Sequence, residues 1–491
     1  MVTADLKDGF FHVPVHVDHQ DYLGFQFDKL NVYYRWQVLP FGHSCSPFFF
    51  AKTLRPIIDY LRSLNIRVVV YVDDFIVLAP KDLIEKHKNI VLSTLESLGF
   101  TINYKKSSLE PALKKVYLGY IIDNSNNRTV ISIVGERISK LKRLIRSTVN
   151  KQCVQARTLA RIAGQCVSMY KCIFPAKLLL RNIYRLLSTK VSWSDKLKLN
   201  DPCIKDLQWW LQSIDGWNRK VVCKEPIDLQ LTTDASKFGW GGWINHSLQA
   251  RGFWDPWVQK QSSNYRELLS VLMCLVSFHN HLGNKHVQIL SDNVTTVAMI
   301  NGLGGSNLAL DNLTRAIYRF TIQRGISISA KFLAGRNNVR ADRLSRSTYE
   351  WMLHPQLFRY LDRVWGPHHV DRFASMNSTQ LPVYNSQHLD PFTSGVDAFA
   401  QDWSNVNNYV NAPFALLPRV IEKIKCQKAS ATLIAPKWTA QPWFQEMKKL
   451  LVAPPIHLPL SRRTVFSKNR AEPLKNRKWN LFAWRISGQL A

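Results

Sequence analysis

The sequence predicts a multidomain chain of mixed α/β and α+β class, and three patterns carry that expectation. Between Val68 and Leu78 two β-branched runs flank a pair of aspartates, the mark of antiparallel strands closed by a tight turn. From 136 to 191 apolar residues recur at helical spacing among many bases. From 228 to 346 strand-like and helix-like stretches alternate, as in a sheet with helices packed on it.

The chain has 491 residues, enough for about three or four domains. Lys and Arg total 65 against 35 Asp and Glu, a formal charge of +30, with a pI near 9.9. Such a field attracts polyanions, of which nucleic acid is the commonest large one. The eight cysteines include no CxxC pair, which argues against a disulfide framework or a structural zinc site. No signal peptide or bilayer-length apolar run is visible, so the expectation is an intracellular protein of cytoplasm or nucleus, without a membrane partner.

Taken in order, residues 1–135 read as short strands and turns with one clear helix, over about 82–98. A strand near the start ends at Asp5, and the hairpin carries Asp73 and Asp74 at its tip. Three carboxylates on neighbouring strand ends form a hard oxygen cage suited to Mg²⁺. Residues 136–191 form a helical segment with thirteen Lys/Arg and one acid, Glu136. Ile138, Leu141, Leu144 and Ile145 line one face of its first helix. Residues 192–227, with Trp193, Trp209, Trp210 and Trp217, read as a packed connection. In 228–346 one acid falls in each element: Asp234, Glu267, Asp292 and Asp342. Four carboxylates brought together raise one another's pKa, and two Mg²⁺ (or Mn²⁺) ions resolve the repulsion. Residues 347–455 read as an α/β region, with His368-His369 expected on its surface. Residues 456–491 form a basic tail of eight Lys/Arg and one acid, Glu472, in which Trp479, Phe482 and Trp484 either stack bases or cap a core.

Asp5, Leu39-Pro40-Phe41-Gly42 with Ser46-Pro47, Tyr71-Val72-Asp73-Asp74, Leu98-Gly99-Phe100, Lys105-Lys106 and Tyr117-Leu118-Gly119-Tyr120 follow one another at short spacing. This succession resembles the palm of reverse transcriptases, an antiparallel sheet with helices, and 136–191 then matches the position of a helical thumb tracking the phosphates of a template–primer duplex. The resemblance implies that Asp5, Asp73 and Asp74 hold two metals, with the Leu6 carbonyl as a further ligand. It places Phe10 against the sugar of an incoming dNTP, and Phe41, Gly42 and Tyr71 around the nucleotide and template. Leu118 and Gly119 would grip the DNA primer, and Lys105 or Lys106 would assist charge neutralisation. Relatives carry a fingers subdomain upstream, whereas this chain begins four residues before Asp5. The expectation is therefore an N-terminally truncated polymerase of weak or no activity by itself.

Thr233-Asp234-Ala235-Ser236, Glu267, Asp292-Asn293 and Asn338 through Ala341-Asp342 resemble ribonuclease H, with all four acids at its catalytic positions. The resemblance implies a metal-activated water attacking the RNA strand of an RNA–DNA hybrid, with Ser236 and Asn293 contacting the hybrid backbone. Some relatives carry a histidine shortly before the last aspartate; none lies between Ser327 and Asp342.

With His369-Val370-Asp371-Arg372-Phe373, Val396-Asp397, Asn411-Ala412-Pro413-Phe414 and Ala435-Pro436-Lys437-Trp438 added, the whole chain looks like DIRS-type or Ngaro-type retroelements, whose ribonuclease H is followed by a methyltransferase-like α/β region. Asn411, Pro413 and Phe414 would correspond to the motif that receives a flipped adenine. Ala412 replaces its first proline and no Gly-rich loop follows a strand, so S-adenosylmethionine is not expected and a domain used for packing or nucleic-acid contact is. The expected partners are RNA template, DNA primer, RNA–DNA hybrid and dNTPs. The alternative is a catalytically silent, nucleic-acid-binding remnant.

Overall fold

The apolar runs of Val2–Asp5 (β1), Arg67–Tyr71 (β2) and Asp74–Leu78 (β3) form an antiparallel sheet of order β1-β3-β2, whose central strand is buried at Phe75, Ile76 and Val77. In the computed structural model, which describes all residues except 27–31, 127, 152, 223–225, 246, 347–349, 460–463, 468–478 and 491, the chain divides into two units, Met1–Lys224 and Glu225–Ala491.

In the first unit the buried face of the sheet, with Val2, Ala4, Val68, Phe75 and Val77, packs on two helices, Ser46–Ser63 (α1) and Ile84–Ser97 (α2). Only α2 was expected. The helix α1 hides in the sequence behind Pro47 and Pro56. Pro47 sits in the first turn, where its missing N–H costs nothing. Pro56 does interrupt the ladder, but Phe50, Leu54 and Leu61 recur on one face and are fully buried, which outweighs the lost bond.

A second sheet of this unit runs Lys220–Val221 (β7), Val130–Ile133 (β6), Tyr120–Asp123 (β5), Lys114–Tyr117 (β4). Beyond it the helices Gly135–Val149 (α3), Ala156–Val167 (α4), Arg181–Leu187 (α5) and Asp201–Trp217 (α6) share one core. Ile138, Leu141 and Ile145 of α3 meet Leu207, Trp210 and Ile214 of α6 there. The tryptophan-rich connection thus completes the core of the basic helical segment.

In the second unit five strands order as Leu248–Phe253 (β10), Gly239–Ile244 (β9), Leu229–Ala235 (β8), His286–Ser291 (β11), Ser327–Phe332 (β12). The first three are antiparallel and the last two run parallel to β8. Ser263–Ser277 (α7) and Leu308–Ile322 (α9) pack on the sheet, burying Leu268, Val271, Leu275 and Ile317. Val294–Asn301 (α8) and Val339–Ser345 (α10) follow β11 and β12. The edge of β10 is not bare: the Arg251 N–H donates to the Leu389 carbonyl and the Leu389 N–H to the Gln249 carbonyl, both at 3.1 Å.

The rest of this unit is an α/β sheet. After Pro355–Trp365 (α11), strand Val370–Asp371 (β13) pairs in parallel with Asn407–Val410 (β16), and β16 with Ser430–Pro436 (β17). On its other side β13 is bridged in parallel at Asp371–Tyr384 to the chain entering Asn385–Ser386 (β14), which pairs in parallel with Gly395–Val396 (β15). Helices Leu417–Cys426 (α12) and Pro442–Lys449 (α13) join β16 to β17 and β17 to the far edge. Beyond β17 lie Leu481–Ser487 (β19) and Ile456–His457 (β18), both antiparallel.

Two expectations fail here. His368 is not on the surface: it is 5% exposed, its Nδ1 lying 2.6 Å from Asp362 Oδ1 and its Nε2 2.7 Å from Thr432 Oγ1. Of the two readings of Trp484, stacking on nucleic acid fails and packing in the core holds, because β19 runs beside the central strand and buries it. Seven of the eight Lys/Arg of the basic tail, and Glu472, lie outside the described residues. Among the described residues, no helix is long and apolar enough to cross a membrane.

Candidate active sites

At the first acidic site, antiparallel register sets Asp5 opposite Asp74. Val72 and Asp73 form the two-residue turn of the β2–β3 hairpin, since Tyr71 pairs with Asp74. Val72 holds φ at 57°, in the left-handed region that a β-branched side chain strongly disfavours. The turn is tied back by the Leu6 N–H, which donates to the Asp73 carbonyl at 3.1 Å. Gly9 allows this closeness: a Cβ there would stand 2.9 Å from the Phe50 ring and 3.4 Å from Asp73 Cβ. Burial raises the Asp74 carboxyl above its ordinary range, and the charges of Asp73 and Asp5 push the same way.

Aromatic rings stand beside these acids. Phe10 is half-buried, 5.3 Å from the Phe41 ring and 5.4 Å from that of Phe50. Phe41 and Tyr71 are exposed, and Gly42 takes a φ of 83°. The Tyr117 hydroxyl donates to the Asp74 carbonyl at 3.2 Å, and burial with the Asp74 charge pushes its pKa up to about 12. Leu118 and Gly119, both at positive φ, turn the β4–β5 hairpin. Arg137 of α3 braces that turn, donating to the Gly119 carbonyl at 3.2 Å and to Ser168 Oγ at 2.7 Å. Lys105 and Lys106 are exposed on the segment between α2 and β4, and the Lys106 charge opposes the rise at Asp74.

At the second acidic site, Asp234 near the end of β8, Glu267 in α7 and Asp292 after β11 bring one carboxylate oxygen each within 4.8 Å of one another. Among the described residues no other set of acids, cysteines and histidines gathers so closely. Burial pushes Glu267 up to about 9, helped by the charges of Asp234 and Asp292. Burial pushes Asp234 up to about 6; the Ser345 hydroxyl opposes this, donating to Oδ2 at 2.5 Å, while Asp292 and Asp342 add to it. Asp292 is raised by burial and then by Asp342. Glu267 Oε2 is buried without a hydrogen-bond partner. An orphaned oxygen among acids that resist ionisation fits a hard divalent cation, which would restore the charge each has been denied.

Asp342 is near enough to act on Asp234 and Asp292 electrostatically but lies outside the close trio, its Oδ1 held 2.6 Å from Arg346 Nε. Ser236 and Asn293, expected at the hybrid backbone, are occupied within the chain. The Ser236 hydroxyl donates to the Ser345 carbonyl at 2.6 Å. Asn293 caps α8 through Thr296 N–H at 2.8 Å and donates to Asn264 at 2.8 Å. Sequence reasoning quoted Asn338 in a motif without a role, and its amide donates to the Thr233 carbonyl at 3.1 Å; it assigned no role to Ser345, Arg346 or Arg137. Their signal was only proximity to quoted motifs. Asn411, Pro413 and Phe414 follow β16 at the wall of a separate cavity.

This hairpin, with Asp5 and Asp74 in register beside it, belongs to a recognised class. Residues 1–122 match the family described as reverse transcriptase (RNA-dependent DNA polymerase), so the chain carries a reverse transcriptase domain. The Gag-Pol polyprotein of avian leukosis virus subgroup A is 31% identical over 149 residues, 29% of this chain and 9% of that polyprotein. The enzymatic polyprotein of Cassava vein mosaic virus is 24% identical over 370 residues, 70% of this chain and 52% of the relative. The chain thus spans about half or less of the curated relatives it matches. A solved foamy viral protease–reverse transcriptase in complex with double-stranded DNA aligns with a TM-score of 0.39 at 17% identity, over 67% of this chain and 56% of that one.

Proposed function

We propose that this chain is a retroelement RNA-directed DNA polymerase joined to a ribonuclease H, of the DIRS or Ngaro type, and that both centres work by two-metal phosphoryl transfer. The observation that carries the second activity is the gathering of Asp234, Glu267 and Asp292 around the unpartnered Glu267 Oε2. Divalent ions of the Mg²⁺ class would supply Lewis acidity and an acidified water there. The chain's own work is positioning. Ser345 orients Asp234, the Ala235 N–H holds Glu267, and burial keeps competing water from Asp234 and Glu267. Asp342, on the more open side, would contribute once released from Arg346.

At the polymerase centre Asp5 and Asp73 would hold the ions with Asp74 in support. The half-buried Phe10 ring would exclude a ribose 2′-hydroxyl and so favour dNTPs. The β4–β5 hairpin would steady the primer end, because Tyr117 ties it to the Asp74 backbone. For the C-terminal sheet we propose a methyltransferase-like fold without methyl transfer. Its strand succession β15-β14-β13-β16-β17-β19-β18 supports the fold, and Ala412 in place of a proline argues against the chemistry.

The test is a labelled RNA–DNA hybrid with Mg²⁺, with and without dNTPs, run beside Asp234→Asn and Asp73→Asn. The expected result is hybrid cleavage lost only in the first variant, and primer extension that is weak or undetectable in the wild type and abolished in the second. Wild-type protein that binds the hybrid but neither cuts nor extends it would mark a silent remnant.

A further inference from the structure

A cavity of about 790 Å³ opens in the second unit, lined by none of the acids of either cluster. Its place follows from strand order. The chain leaves β13 toward β14 and β15 on one side, then crosses back to β16 on the other, so direction reverses between β13 and β16. At such a reversal the loops leaving adjacent parallel strands part, and a crevice forms outside their carboxyl ends. The cavity wall comes from the segments that follow β13, β14, β15 and β16. Its volume falls in the range of about 300–1,000 Å³ typical of small-ligand sites.

The wall chemistry narrows the ligand. Phe399 and Phe414 offer rings for a flat base. Arg419, exposed in the first turn of α12, lies over the Phe399 ring at 4.0 Å. Arg251 reaches the same wall from β10. Against these cations stand two acids. Glu350 is half-buried, its desolvation raises its carboxyl above the ordinary range, and it accepts from Ser378 Oγ at 3.0 Å. Asp397 is exposed at the mouth, at a φ of 57°, with its Oδ1 accepting from the Phe399 N–H at 3.0 Å. Asn411 gives its Nδ2 to the Trp351 carbonyl at 3.2 Å, leaving its amide oxygen as an acceptor. The loop after β13 carries no glycine, so no backbone cradle for a pyrophosphate exists there.

We infer that this cavity binds a nucleoside monophosphate, its base against Phe399 and Phe414, its ribose hydroxyls toward Asp397, and its single phosphate met by Arg419. The site is independent of the polymerase and ribonuclease H centres and of the ions they need.

The experiment is titration calorimetry of the full chain in EDTA, with AMP, adenosine and S-adenosylmethionine as probes. AMP should bind saturably with one site per chain. Arg419→Gln, at an exposed position, should weaken AMP by about tenfold and adenosine by less than about twofold, as expected for loss of one charge-assisted contact. Phe399→Ala should weaken both, with circular dichroism confirming its fold; Arg419→Gln decides the matter if it does not fold. Asp73→Asn should change nothing, which separates this site from the polymerase centre. No saturation by millimolar AMP, AMP affinity indifferent to Arg419→Gln, or binding of S-adenosylmethionine in preference to AMP would each overturn the assignment.

Discussion

Asp234, Glu267 and Asp292 sit at the ends of a sheet and on a helix that covers it, largely sealed from water, and their carboxyls are held above their ordinary range. Asp73 and Asp74 sit at a hairpin tip with Asp5 opposite on β1, all three part-exposed, and burial raises the Asp74 carboxyl. The same number of acids thus has two electrostatic characters. In the dry cluster repulsion is relieved by protons until a cation replaces them. In the open cluster solvent does much of that screening. A buried scaffold builds a site that waits for its ion, and a hairpin builds one that depends on what else arrives.

The largest expected effect tests the dry cluster. Asp234→Asn should reduce hybrid cleavage roughly 10²–10³-fold, the usual consequence of removing one preorganised electrostatic contact. A loss below about tenfold would place the chemistry elsewhere. Next is pH. Because Glu267 rises from 4.5 to about 9 and Asp234 from 3.8 to about 6, the folded state favours their protonated forms. The stability they confer is complete below pH 4 and is lost as pH climbs through 6 and then 9. In EDTA the thermal transition should therefore fall across that window, Glu267→Gln should flatten the fall, and Mg²⁺ should reverse it. A wild-type transition that is flat in EDTA would show that the acids are not crowded.

Smaller effects sharpen the picture of the open cluster. Arg137→Ala removes the brace from the β4–β5 turn and should cost about 1–2 kcal/mol in denaturant titration, with Arg137→Lys failing to restore it, because a lysine cannot span two partners. Val72→Gly should stabilise the chain by up to about 1 kcal/mol, since glycine accepts the left-handed backbone there. If stability falls instead, the Val72 side chain packs more usefully than its backbone strain costs.

Legibility in the sequence followed the range of the interactions. The β2–β3 hairpin was plain because its pattern is local, as was α3 with Ile138, Leu141 and Ile145. The acids of the second cluster were legible because each ends or opens an element. The turn of Asp342 to Arg346 was legible only as an i,i+4 spacing, and whether such a pair closes is a matter of side-chain rotamer. Helix α1 was obscured by two prolines whose cost is visible locally and whose compensation, Phe50 against the sheet, is not. His368 was misread because its partners Asp362 and Thr432 lie 6 and 64 residues away. The strand β19 was masked by the basic run before it, and its neighbours β17 and β18 are set by pairings across the whole C-terminal region.

The backbone bonds between Leu389 and the outermost strand of the five-stranded sheet have a practical consequence. A sheet margin left open offers a row of N–H and C=O groups to any passing strand, a common start to self-association. Here residues beyond 346 cover that margin. Excising 228–346 as a minimal nuclease would strip the cover from Leu248–Phe253, so a soluble working fragment should extend at least past Leu389.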